Sequence, residues 1–170
     1  MVLDISSGPC RIYQEADGMP VRLGEGFRGA DGAVGYLLRQ AQLTLRRALD
    51  TALRDLDLTT PQFSLLSVLE VEPGLSGAEL ARVSMLTPQT TNGILVALVR
   101  RGHVDRTRDG RDGRVLQVQL TDAGRALVVQ ARGRVEEVER RMTAELSGRE
   151  VAQLRRWLVA CARSLDPDAT

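Results

Sequence analysis

The chain is poor in the side chains on which most enzymes depend. Its 170 residues include one histidine, no lysine, and two cysteines, at positions 10 and 161. A lone histidine leaves acid–base catalysis or histidine-activated nucleophiles little to work with. Two distant cysteines cannot by themselves close a zinc site, and no glycine-rich phosphate loop is present. Asp109 and Asp112 resemble half of a cation loop, but Arg108, Arg111 and Arg114 interleave with them and would repel the metal. Aromatic residues make up 3%, so an aromatic-lined pocket would have to draw on Tyr36, Phe63 or Trp157. No apolar run approaches the roughly 18 residues that a membrane helix requires. The acidic, glycine-containing N-terminus does not read as a signal peptide, which leaves the cytoplasm as the expected compartment. These shortages exclude the common catalytic, metal and membrane classes and lead to no expected cofactor.

What is present describes a soluble globular protein: 43% hydrophobic and 26% charged residues, enough for one domain or a domain with a helical appendage. A net charge of +1 says little, but its distribution says more. Residues 1–75 carry seven arginines against ten acids, a net of −3, whereas residues 76–121 carry seven arginines against four acids, a net of +3. Positive charge gathered on one segment is the footprint of a polyanion-binding face. Arginine, the only strong base used, suits phosphates and narrow grooves.

The basic segment also carries the clearest punctuation. Ser76 and Glu79 form a capping box, in which the hydroxyl takes an orphan amide while the carboxylate reaches back. Thr87-Pro88 is a second N-cap, with proline where its missing N–H costs nothing. From there Thr91, Ile94, Leu95 and Leu98 recur at helical spacing, and Gly102 occupies a left-handed C-terminal position. Pro88, Gln89, Thr90, Asn92, Gly93, Val96 and Ala97 fall off that buried stripe. A helix that turns Gln, Thr and Asn outward from its first turns has the chemistry to read base edges in a major groove.

Two strand-like runs follow, His103–Thr107 and Val115–Leu120, with residues 108–114 between them. Asp-Gly and Gly113 supply turn conformations, and Arg108, Arg111 and Arg114 crowd a tip with no core to cover. Helix, turn, helix and basic hairpin together predict a winged helix-turn-helix.

These residues resemble the MarR-type bacterial transcriptional regulators. The resemblance is carried by Arg106-x-x-Asp109-x-x-Asp112-x-Arg114, by Leu120-Thr121-x-x-Gly124, by Leu80-Ala81, and by the helix start Thr87-Pro88-Gln89-Thr90. More loosely it extends from about Val34 to Leu165. Gly93 and Ala97 depart from the family pattern, which favours long polar or basic side chains there, so this helix is expected to touch fewer bases.

The flanks are helical. Val34, Leu38, Ala41, Leu45, Ala48, Ala52 and Leu56 alternate at three- and four-residue spacing, predicting a long amphipathic helix. Thr60-Pro61 opens a nearly all-apolar helix over Gln62–Glu70, which Glu72-Pro73-Gly74 ends. Thr121 caps a helix with Val128, Ala131, Val135, Val138 and Met142 at coiled-coil-like spacing. Ser147 and Glu150 box the start of a last helix through Leu154, Leu158, Cys161 and Leu165, with Asp166-Pro167 as its stop. Cys161 and Trp157 read as packing residues, and His103 as a half-buried residue at the wing base. The terminal helices offer more apolar surface than one small domain can cover, which predicts a two-fold homodimer.

The expected fold is mainly α with an α+β wing: a winged helix-turn-helix with long N- and C-terminal helices forming a dimerisation domain. Residues 1–32 form a flexible extension, 33–58 and 122–166 the helical dimerisation region, and 59–121 the DNA-binding domain. The expected activity is sequence-specific binding of double-stranded DNA as a repressor on a pseudo-palindromic operator. Pro88, Gln89, Thr90 and Asn92 are the expected base readers, since amide side chains pair bidentately with adenine. Arg82, Arg100, Arg101, Arg106 and Arg108 are expected at phosphates. The resemblance implies that Arg114 enters the minor groove, steadied by Asp112 with Arg111 beside it. It also implies a small aromatic or phenolic effector, for which Tyr36, Arg39 and Phe63 are candidate contacts. Two alternatives stand: a winged-helix protein-interaction module, or a thiol-based redox sensor using Cys10. Cys10 lies well upstream of the first long helix, where the family's reactive cysteine is found, and reads as an incidental thiol.

Overall fold

A computed structural model describes residues 22–108 and 116–166, in two compact units divided between Ala48 and Leu49. In the first unit Gly26–Arg28 form a 3₁₀ turn, and Arg28 Nε donates to Gln40 Oε1 at 2.9 Å. Helix α1 spans Val34–Ala52, ending four residues before Leu56, the last of its apolar period. The chain then tightens into a 3₁₀ turn at Arg54–Leu56 and leaves it through Asp57, a left-handed residue with φ 51°. Leu53 and Leu58 are buried on either side of this turn. The apolar period thus outlasts the helix, because the turn also faces the core.

The rest of the second unit runs α2 (Thr60–Val71), β1 (Leu75–Ser76), α3 (Gly77–Val83), α4 (Pro88–Arg100), β2 (Val104–Arg108), β3 (Leu116–Leu120), α5 (Asp122–Met142) and α6 (Gly148–Leu165). The cap of α2 is Thr59, one residue before the expected position. Asp50 explains the shift: its Oδ1 accepts from the Thr60 amide at 2.9 Å and from the Thr60 hydroxyl at 2.6 Å. Thr60 is thereby committed elsewhere, and Thr59 forms the capping box with Gln62. As its composition predicts, α2 is the hub, burying Leu65, Leu66 and Leu69.

The sheet is antiparallel in the order β1-β3-β2. Leu75 lies opposite Val118, and Val104 opposite Leu120. Strand β1 has no signal of its own in the sequence, since two residues become a strand only through their partner. Leu80, Leu95, Leu98, Val104, Val118 and Val128 close one core around α2. Helix α5 joins this core through Val128 and Ala131, whereas Met142 at its far end is exposed. Helix α6 buries no residue. Cys161, expected to be buried, is half-exposed, and Trp157 and Leu165 are 43% and 76% exposed. Their apolar stripe is real, but among the described residues it is only partly covered and none of it is fully buried.

Candidate nucleic-acid interface

Two capped helices at the centre of the second unit build the surface. The Ser76 amide donates to Glu79 Oε2 at 2.8 Å, and the Glu79 amide donates back to the Ser76 hydroxyl at 3.3 Å. Hydrogen bonds from the Ser76 amide and then its hydroxyl hold the Glu79 carboxyl below the usual glutamate range. Helix α3 ends in a turn through Met85, whose φ of 51° is left-handed. Helix α4 then starts at Thr87, whose hydroxyl accepts from the Thr90 amide at 3.1 Å.

On α4, Thr91, Leu95 and Leu98 are buried, so the helix presents Pro88, Gln89, Thr90, Asn92 and Gly93 to solvent. These outward side chains differ in their freedom. The Gln89 side chain forms no hydrogen bond with any described residue. The Thr90 hydroxyl lies 2.8 Å from that of Thr87 and completes the cap. Asn92 Oδ1 accepts from Arg106 Nη2 of β2 at 3.0 Å.

The arginines expected at phosphates separate in the same way. Arg82 and Arg100 are exposed on the flanks of the two helices. Arg101 turns back and donates to the carbonyl oxygens of Leu56 and Asp57, satisfying the end of the 3₁₀ turn. Arg106 is half-buried, with Nε out of contact with solvent. Arg108 is the last residue of β2. Arg111, Asp112 and Arg114 lie outside the described residues, as does Cys10.

At the wing base, His103 is half-buried with Nδ1 lacking a partner among the described residues. Burial, and then the nearby Arg101 guanidinium, hold its imidazole below the usual histidine value. Of the residues expected to contact an effector, Phe63 packs against the core of the second unit. Tyr36, half-buried, and Arg39, exposed, belong to the first unit. A feature with no sequence signal is a cavity of about 460 Å³ between the start of α3, α4 and the wing strands, lined by Gly77, Pro88, Asn92, Leu95, Arg106 and Val118 among others. It joins residues as far apart as Ser76 and Val118, 42 positions along the chain, and so only folding reveals it.

A basic segment, a solvent-facing polar helix and an antiparallel wing recur in known proteins. The HTH-type transcriptional repressor Rv2887 of Mycobacterium tuberculosis is 39% identical over 128 residues, which cover 75% of this chain and 92% of that one. The chain belongs to the MarR family. The MarR family model matches residues 56–115, from the 3₁₀ turn into the wing. The repressor CouR, solved bound to a 23-mer DNA duplex, superposes with a TM-score of 0.73 at 32% identity, covering 76% of this chain and 92% of that one. Rv2887 of Mycobacterium tuberculosis in complex with salicylic acid gives a TM-score of 0.63 at 38% identity, covering 78% and 98%. The expected winged helix-turn-helix is therefore the fold, and these MarR-family relatives are transcriptional regulators, not enzymes. No helix among the described residues is long and apolar enough to cross a membrane.

Proposed function

We propose that the chain is a cytoplasmic homodimeric repressor that binds a pseudo-palindromic operator and leaves it when a small aromatic or phenolic acid binds. One observation carries this reading: α4 buries Thr91, Leu95 and Leu98 while its first two turns offer Gln89, Thr90 and Asn92 to solvent, between the exposed arginines 82 and 100. In a two-fold dimer two such helices enter successive major grooves about 34–36 Å apart. Pro88, Gln89, Thr90 and Asn92 meet base edges. Arg82 and Arg100 meet phosphates, and Arg114, with Asp112 and Arg111, carries the wing into the minor groove. The DNA-bound CouR relative supports the partner.

Helix α6, with no buried residue in the single chain, supports the dimer. The cavity of about 460 Å³ beside Arg106 supports the effector, since a half-buried guanidinium next to apolar Leu95 and Val118 suits a carboxylate on a small ring. A relative solved with salicylic acid agrees with that chemistry.

The test is selection of bound sequences from random duplex, followed by equilibrium titration of the winner across salt, with and without salicylate. A dimer neutralising about six or more phosphates loses roughly a thousandfold in affinity between about 50 and 200 mM salt. Weak association that ignores salt would refute the DNA reading and favour a protein-partner role.

A further inference from the structure

The outermost line of α4 is not the one that Thr90 and Asn92 occupy. Gln89, Gly93, Val96 and Arg100 recur at four-, three- and four-residue spacing, so they stand in a row along the helix, opposite buried Thr91, Leu95 and Leu98. All four are exposed. Thr90 and Asn92 lie to either side of that row, the one hydrogen-bonded to Thr87 and the other to Arg106. The row holds an amide at one end and a guanidinium at the other, and between them a residue with no side chain and an apolar one. Val96 is 53% exposed and takes no part in the hydrophobic core.

Neither of the middle two serves the fold. Glycine within a helix is less stable than alanine. At Gly93 the backbone is helical, and a Cβ built there would have nothing within 4 Å. The chain's own packing therefore gives no reason for glycine, and what the bare backbone supplies is room on the outer surface for a partner to approach. Val96, nearly one turn further on, borders that room. Base edges in the major groove are donors and acceptors, and the apolar group among them is the thymine C5-methyl. A valine pressed on a donor or acceptor strips its water and returns no hydrogen bond, whereas against a methyl it buries apolar surface on both sides. We infer that Val96 is a specificity-determining residue that reads a thymine methyl, and that the gap at Gly93 lets α4 come close enough for the contact. This role rests on the DNA-reading function proposed above and deepens it.

The test uses the operator selected from random duplex, with each thymine of one half-site replaced in turn by uracil. That exchange removes the methyl and leaves the base pairing and the O4 acceptor in place. At one such position the wild-type chain is expected to bind the uracil duplex about fourfold more weakly, the equivalent of burying one methyl. Val96→Ala is expected to bind the two duplexes equally there while keeping its preferences elsewhere. A merely structural role for Val96 would weaken binding to both duplexes by the same factor and leave their difference intact. Gly93→Ala should raise Tm at fixed protein concentration, since its methyl meets nothing in the chain, and yet weaken operator binding. The inference is overturned if no uracil exchange weakens the wild type, if Val96→Ala retains every discrimination that the wild type shows, or if Gly93→Ala binds as tightly as the parent. A wild-type chain that selects no sequence at all would overturn the DNA reading and this inference together.

Discussion

The substitution Gly124→Ala should destabilise the chain even though helix propensity alone predicts the opposite. Gly124 is the third residue of α5, and a Gly-to-Ala change inside a helix normally stabilises by about 1 kcal/mol. Here a Cβ would fall on the carbonyl oxygen of His103, 3.0 Å from its carbonyl carbon and 3.4 Å from Leu120 Cδ2. The first two obstacles are backbone and cannot rotate aside, so the start of α5 must move outward. That shift strains the contacts that seat the helix on the wing base: the Thr121 amide on His103 O at 3.1 Å and the Thr121 hydroxyl on Gly102 O at 2.7 Å. Overpacking costs about 1–3 kcal/mol, and a weakened hydrogen bond about 1 kcal/mol more. After the propensity gain the net loss is about 2 kcal/mol, or roughly 4–8 °C in Tm for a chain of this length. Urea unfolding followed by far-ultraviolet circular dichroism, at one fixed protein concentration, measures it. A Gly124→Ala variant as stable as the parent, or more so, would refute the packing argument.

Other perturbations have equally definite outcomes. Arg114→Ala should weaken operator binding by about 1–3 kcal/mol with no change in Tm, so an unchanged affinity at fixed salt would remove the wing from recognition. Thr91→Val should stabilise by about 1 kcal/mol, because the buried Thr91 hydroxyl has no partner among the described residues and valine has its shape; a lower denaturation midpoint would contradict this. Leu158→Glu on α6 should shift sedimentation toward the monomer, and an unchanged sedimentation coefficient would move the dimer interface elsewhere. The Glu79 and Glu150 carboxyls are both held below the usual range by their cap serines, so their contribution is present near neutrality and is lost as pH falls below about 4.5. A chain carrying both Glu79→Gln and Glu150→Gln should therefore show a flatter loss of stability between about pH 5 and 3 than the parent; equal slopes would sink the assignment.

The parts of the fold legible in the sequence are those decided within a few residues. The boxes at Ser76–Glu79 and Ser147–Glu150 and the Thr87-Pro88 start are local chemistry, and each forms where its residues stand. At Thr59-Thr60, two hydroxyls compete for one cap and Asp50, ten residues away from Thr60, settles the matter. The left-handed glycine after α4 is legible too: Gly102 has φ 73°. Strand β1, the Arg101 tie to the 3₁₀ turn and the Arg106–Asn92 pair join residues from 14 to 45 positions apart. No periodicity or cap encodes them. For the same reason the outward face of α4 is readable as a set of side chains, whereas their hydrogen-bonding freedom is not. A half-buried Cys161 where a buried one is expected reflects a period that reports an apolar face but not what lies against it.

If two copies pair through α6 as proposed, a helix with no interior of its own ties the condition of each molecule to how many others are nearby. Mass action then makes the unfolding midpoint rise with protein concentration. In that dimer, newly made chains at low copy number would carry a sticky ridge until they meet a twin, and related chains with similar ridges would compete as partners. Abundance would then govern both the occupancy of the proposed operator and the survival of the folded chain.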